Sequence, residues 1–256
     1  MIIDITDPAK HRVIGEMDRF TVPMLLHENA IYMHEARQYQ VEKLDFDACK
    51  AFIRAVDVGY YTDADLNISL SLLDISQEKP GRALGEVKVS SLVTMFKKIR
   101  FDTHETLGFG HVRLPQTDMH TEAMWWTLPE QVITAMSPDT LKNGMLGVAN
   151  LLRIVAPLYL MCAATDVAVL YQVKSPITDK PTVFLYDNCP GGIGLAQKAW
   201  GMQELLLDRA LDIVSHCGCS QGCPSCCGPV GEIGEDGKAT AALILRQLLE
   251  ACHESA

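Results

Sequence analysis

Apolar and polar residues alternate through much of the first half of the chain, a two-residue period that belongs to strands. In LNISLSLLDI (66–75) the apolar positions are Leu66, Ile68, Leu70 and Leu72. EVKVSSLVTMFKKI (86–99) alternates in the same way, and the polar Gly/Pro stretch SQEKPGRALG (76–85) between them predicts a loop. AIYMHEARQYQVEKLDF (30–46) predicts two strands around a turn, with AFIRAV (51–56) as the next strand. Short strands separated by turn signals predict a small barrel-like or curled β-rich region over residues 1–115.

The period then lengthens. TEAMWWTL (121–128) is strand-like, and Pro129 opens a helical stretch with Val132, Ile133 and Met136 on one face. A long apolar helix is expected from about Asp139 to Pro157, continuing as a kinked or separate turn to Cys162. Two strands follow, DVAVLYQV (166–173) and PTVFLYD (181–187). GIGLAQKAWGMQELLLDRALDIVSHC (192–217) predicts one continuous helix, and KATAALILRQLLEAC predicts a closing one. The expected class is therefore α+β, with a mixed helix–sheet domain over 116–256.

Between those last two helices lies CGCSQGCPSCC, which holds five of the nine cysteines. Cys217, Cys219, Cys223 and Cys226 give C-x-C-x3-C-x2-C, enough thiolates to close a tetrahedral site from one loop. Gly218, Gly222 and Gly228 supply permissive torsions, and Pro224 stiffens the turn. Disulfides are disfavoured, because the N-terminus shows no signal-peptide pattern and close neighbours bridge poorly. Zinc is the preferred occupant and an iron–sulfur cluster the rival, although the spacing matches neither common ferredoxin pattern. Cys227 and His216 flank the set as spare groups.

Composition bounds what this loop serves. The apolar fraction, 48%, is enough for a core without staples. No apolar run is read as a bilayer span, since IVAPLYLMCAA is short and broken by Pro157. The absence of a signal, with only scattered thiols elsewhere, points to a reducing cytoplasmic setting and no membrane partner. A net charge of −10 disfavours nucleic-acid attraction through the overall field. The local exception, Lys97-Lys98-Ile99-Arg100, reads as solvated strand-end charges, so the chain alone is expected to bind DNA weakly.

Catalytic patterns are missing: there is no G-x-S-x-G, no H-E-x-x-H and no P-loop. His253-Glu254-Ser255 has the wrong setting for a deaminase. A closed four-thiolate site also leaves no open position for metal-assisted hydrolysis. YDNCPGGIGLAQK (186–198) is a strand–glycine turn–helix junction whose Gly191, Gly192 and Gly194 could present N–H groups to a phosphate or carboxylate. The plainer reading is a tight connection capped by Asp187 or Asn188.

Taken in order, YDNCPGGIGL, the long helix, CGCSQGCPSC and the upstream LLRIVAPLYLMC resemble the MrfA-type zinc-binding domain. That domain lies at the C-terminus of superfamily-two DEAD/DEAH-box DNA repair helicases. IGEMD, ENAIYMHEARQYQVEKLD and VDVGYYTDA look like the segment such helicases carry after their motor. The resemblance implies zinc held by Cys217, Cys219, Cys223 and Cys226. It departs from the pattern at Cys227, usually aliphatic, and at Asp166, one acid where relatives tend to have two. The motor motifs themselves are not here, which implies either the C-terminal part of a longer helicase or a separate polypeptide working with one. The implied function is a non-catalytic accessory module that organises the motor domains and guides single-stranded DNA. Trp125-Trp126 or Tyr60-Tyr61 are the candidates for base stacking, although successive strand residues face opposite sides, so at least one ring of each pair is expected in the core. A protein–protein adaptor that docks a separately encoded helicase without touching DNA is the alternative.

Overall fold

The computed structural model describes residues 1–254, so Ser255 of the His253-Glu254-Ser255 stretch lies outside the described residues. Chain contacts divide it into two compact units, residues 1–69 with 90–118, and residues 70–89 with 119–256. A single cut near residue 115 would place 70–89 with the first half, whereas by contacts those residues group with the second.

The first unit begins with β1 (Ile2–Asp4), β2 (Arg12–Gly15), α1 (Val22–Leu25), β3 (Ile31–His34), β4 (Arg37–Asp45) and β5 (Lys50–Val56). These strands make an open sheet in the order β2-β1-β5-β4-β3, with β1 and β5 parallel and the other pairs antiparallel. The sheet is a half barrel, since β2 and β3 are left as edges. Its small core is Ile2, Leu26, Ala30, Tyr39, Val41, Ala51 and Ile53. The two strands expected over 30–46 are β3 and β4, joined through Glu35 and Ala36, both in the left-handed region.

β6 (Tyr60–Lys79) and β7 (Arg82–Arg100) are much longer than the alternation suggested. The loop expected over 76–85 is a correction: only Pro80 and Gly81 turn, and both strands run on either side of them. The reason is position. β6 is the last strand in its sheet, and its residues 71–79 are exposed, so polar composition here marks an edge. β8 (Thr106–His111), which the sequence reading missed, pairs antiparallel with β7. Val93, Phe96 and Val112 form a second apolar cluster in this unit.

The second unit holds β9 (Thr117–Thr127, from residue 119), α2 (Glu130–Thr134), α3 (Pro138–Leu160), β10 (Val167–Gln172) and β11 (Thr182–Asp187). Then come α4 (Leu195–Gly201), α5 (Gln203–His216), α6 (Val230–Ile233) and α7 (Gly237–Glu254). The sheet runs β10-β11-β9-β7-β6, and α3, α5 and α7 pack on one another beside it. Ser137 caps α3 by accepting the Thr140 N–H at 3.2 Å. Leu141, Met145, Val148, Leu152, Val155 and Ala156 recur at helical spacing and are buried. Pro157 sits inside the last turn without ending the helix. At 23 residues, α3 is long and apolar enough by composition to cross a bilayer, contrary to the reading that no run is; eleven of its residues are instead buried in this unit.

One other expectation is corrected. Residues 192–217 are two helices, not one, because the chain leaves helical torsions at Met202 after Gly201. α7 packs closely on α3 because a Cβ at Gly144 would lie 2.3 Å from Thr240 Cγ2, so no larger residue fits there.

Candidate metal centre

The last turn of α5 delivers Cys217, whose N–H still donates to Ile213 O at 3.1 Å. From there the backbone doubles back as a knuckle in which Cys226 and Gly228 both donate to Cys223 O, at 3.0 and 3.1 Å. Gly222 makes this turn possible. Its φ of +122° lies where side chains are strained, and a Cβ there would meet Gly228 O at 2.6 Å.

The result gathers four sulfurs. The Sγ atoms of Cys217, Cys219, Cys223 and Cys226 all lie within 4.8 Å of one another. The pairs 217–223, 219–226 and 223–226 are each 3.6 Å apart, and every cysteine is free. A tetrahedral ion with Zn–S bonds of about 2.3 Å spaces its sulfurs about 3.8 Å apart, so the set fits a single Zn2+. An iron–sulfur cluster, with several irons between its thiolates, needs a wider cage. Burial alone would push the Cys219 thiol up, but hydrogen bonds with Cys217, Cys226, Lys238 and the Gly222 N–H bring it down to about 6. The Lys238 ammonium, on the first turn of α7, also donates to Cys217 O at 2.8 Å and to Cys219 O. It ties α7 to the knuckle and offsets the negative charge of a four-thiolate site.

The two spare groups separate from the ligands. Cys227 is fully buried in the helical core, and Asn150 Nδ2 donates to its carbonyl at 3.0 Å. Burial first, then the hydrogen bond and charge of Cys226, push its thiol up to about 12, so it stays protonated. His216 points away, exposed and paired with Asp212 at 2.9 Å. We therefore expect Cys227→Ala to keep one zinc per chain and Cys226→Ala to lose it, read by metal release to a chromophoric chelator. Equal zinc loss in both would show that Cys227 ligates.

The other predicted site residues fare differently. The glycine turn is not an open anion site, because Asp187 already fills it. Its buried carboxylate accepts the N–H groups of Ile193 (2.6 Å), Leu195 (3.1 Å) and Ala196 (2.6 Å). Gly191 donates to His120 O and Gly192 to Cys189 O, and Gly194 precedes α4. The plainer reading, an internal cap, is the correct one. Asp166 likewise accepts the Ala163 N–H at 2.9 Å, a turn role.

The tryptophans are also corrected as stacking residues. Trp125 is 3% exposed and Trp126 1%, so neither offers a face to a base. β9 lies between β11 and β7; Trp126 faces the helical core, and Trp125, on the other face, packs on its cross-strand neighbour Phe184. Tyr60 and Tyr61 are half-buried.

Three comparisons place these features among known proteins. Residues 148–227, which include all four clustered cysteines, match the family model of the MrfA Zn-binding domain. The chain is 45% identical over 232 residues to the uncharacterized ATP-dependent helicase YprA of Bacillus subtilis (strain 168), a match covering 89% of this chain and 31% of that one. Over 76 residues it is 38% identical to an uncharacterized protein of Methanocaldococcus jannaschii, covering 28% of this chain and 66% of that protein. In three dimensions, 96% of the chain is similar to 33% of the DUF1998 helicase MrfA in its crystal structure bound to DNA, with TM-score 0.69 and 44% identity. The chain thus spans about a third of the helicases it matches.

Proposed function

The chain carries a zinc-binding domain of the MrfA type at residues 148–227, and from that premise we propose that it is a non-catalytic accessory module of an ATP-dependent DNA helicase. The similarity of nearly the whole chain to part of a helicase crystallised on DNA carries this reading. Motor domains, in the same or a separate chain, would supply ATP hydrolysis. The zinc would hold α5 and α7 in fixed register, so that the module presents a rigid surface to the motor and to a single DNA strand in the cytoplasm. Repair of DNA or defence is the setting that the reading implies.

A second reading has its own support. The net charge is −10, and a match at 38% identity to 66% of an uncharacterized protein of Methanocaldococcus jannaschii supports reading this kind of segment in a separate chain. The chain would then be an adaptor that docks a basic partner without touching DNA. The two readings part in one titration of a fluorescent single-stranded oligonucleotide against the zinc-loaded chain. Strand guidance requires weak binding whose affinity falls as salt rises from about 50 to 200 mM. No binding even at the lower salt would leave only the adaptor.

A further inference from the structure

Of the 17 aromatic residues in the chain, the two that stand exposed to solvent belong to one ribbon of the first unit. Phe109 on β8 is 63% exposed, and Phe101, the turn residue that follows β7, is 38% exposed. Neither has a covering element among the described residues. Large aromatic rings are normally the most buried side chains of a fold, so two bare ones in one ribbon need a reason.

Their neighbours supply it. β7 and β8 pair antiparallel, and Lys97 stands opposite Phe109, which puts both on the same face. Lys98 stands opposite Gly108, and its ammonium lies 5.3 Å from the centre of the Tyr60 ring. Phe101 leans on Tyr61, with ring centres 5.6 Å apart. Residues 95–113 hold four basic groups, Lys97, Lys98, Arg100 and Arg113, against two acidic ones, Asp102 and Glu105. A net of +2 here contrasts with −10 for the whole chain.

We propose that the β7–β8 ribbon is a single-stranded DNA contact, in which Phe109 and Phe101 stack on unpaired bases and Lys97, on the same face as Phe109, meets a phosphate, while Lys98 and Arg100, which alternate to the other side of β7, add positive charge at its margin. This deepens the strand-guiding reading above and rests on it. A protein strand could also add along the free edge of β8, but backbone pairing of that kind asks for no cation beside an exposed ring. An exposed ring with a lysine opposite it on the same face matches a polyanion of flat bases. Of the tyrosines offered by the sequence, Tyr61 backs Phe101, and Tyr60, on the opposite side of β6, lies against Lys98.

The test uses the full zinc-loaded chain and a labelled oligothymidine of about 20 nucleotides, titrated at several salt concentrations. Phe109→Ala should weaken binding about 10-fold at every salt concentration, leaving the salt slope unchanged, because stacking releases no counterions. Lys97→Ala should flatten the slope by about 0.7, from one lost phosphate contact. Phe109 is a surface residue, and unchanged thermal unfolding of each variant would show that the fold persists; Phe109→Leu serves as a second variant that keeps apolar bulk without a ring. Binding by the unaltered chain with no loss in Phe109→Ala or Phe109→Leu overturns the ribbon and leaves strand guidance standing elsewhere. No binding by the unaltered chain overturns both, and capture of an extended peptide by β8 would then identify the edge as a protein contact.

Discussion

Stripping zinc from the folded chain with excess chelator should lower the melting temperature of the second unit by about 6–12 °C or more. The four ligands come from one loop, yet they join α5 to the knuckle and, through Lys238, to α7. Structural zinc is worth on the order of 10 kcal/mol in small zinc-dependent domains. Here α3, α5 and α7 also pack on their own account, so only part of that is at stake. Even a third, roughly 3 kcal/mol, corresponds to about 6–12 °C for a unit of this size. Cys226→Ser should do at least as much, because Cys226 is 1% exposed and a lone hydroxyl would be left among apolar neighbours. Calorimetry with and without metal reads both effects. An unaltered transition after confirmed zinc loss would remove the metal from any part in stability.

Replacing Asp187 with alanine should cost about 3–5 kcal/mol, measured as a shift in the urea midpoint. Its carboxylate is wholly buried and receives three backbone N–H groups where β11 passes into α4. Alanine leaves all three donors without this partner, those of Leu195 and Ala196 away from water. Asp187→Asn keeps one oxygen but turns an NH2 toward a donor, so it should recover only part of the loss. A midpoint within experimental error of the unaltered chain for Asp187→Ala would mean that water reaches the turn and replaces the carboxylate.

How far the sequence was legible follows from how local each signal is. The metal loop was readable because its evidence, four thiols at fixed spacing with turn residues between them, lies within ten consecutive positions and needs no partner to interpret. α3 and α7 were readable because helical spacing is internal to the segment. The tryptophan pair was not. Whether Trp125 and Trp126 are exposed depends on β9 lying between two other strands, and strand order is a long-range property. The glycine turn misled in part for a similar reason: its donors are real, but the anion that satisfies them is the chain's own Asp187. β8 escaped notice because Gly108 and Gly110 flank its single aromatic residue and break any alternation that a short window could show. The polar run over 76–79 was read as loop because polarity reports exposure, and exposed edge strands and loops share it.

The interleaving of the two units along the chain also sets a timetable for synthesis. The first unit has all its residues once position 118 has been made, but the hairpin at 70–89 belongs with strands and helices that come later. At roughly 5–20 residues per second, β11 follows that hairpin by roughly 5–20 s. The metal ligands come later still, so zinc can be captured only after α5 is complete. A cell short of zinc would then hold chains whose second unit rests on helix packing alone and opens more often to proteases and chaperones. Zinc supply thereby becomes a checkpoint on how much mature protein exists, separate from any effect on what the mature protein does.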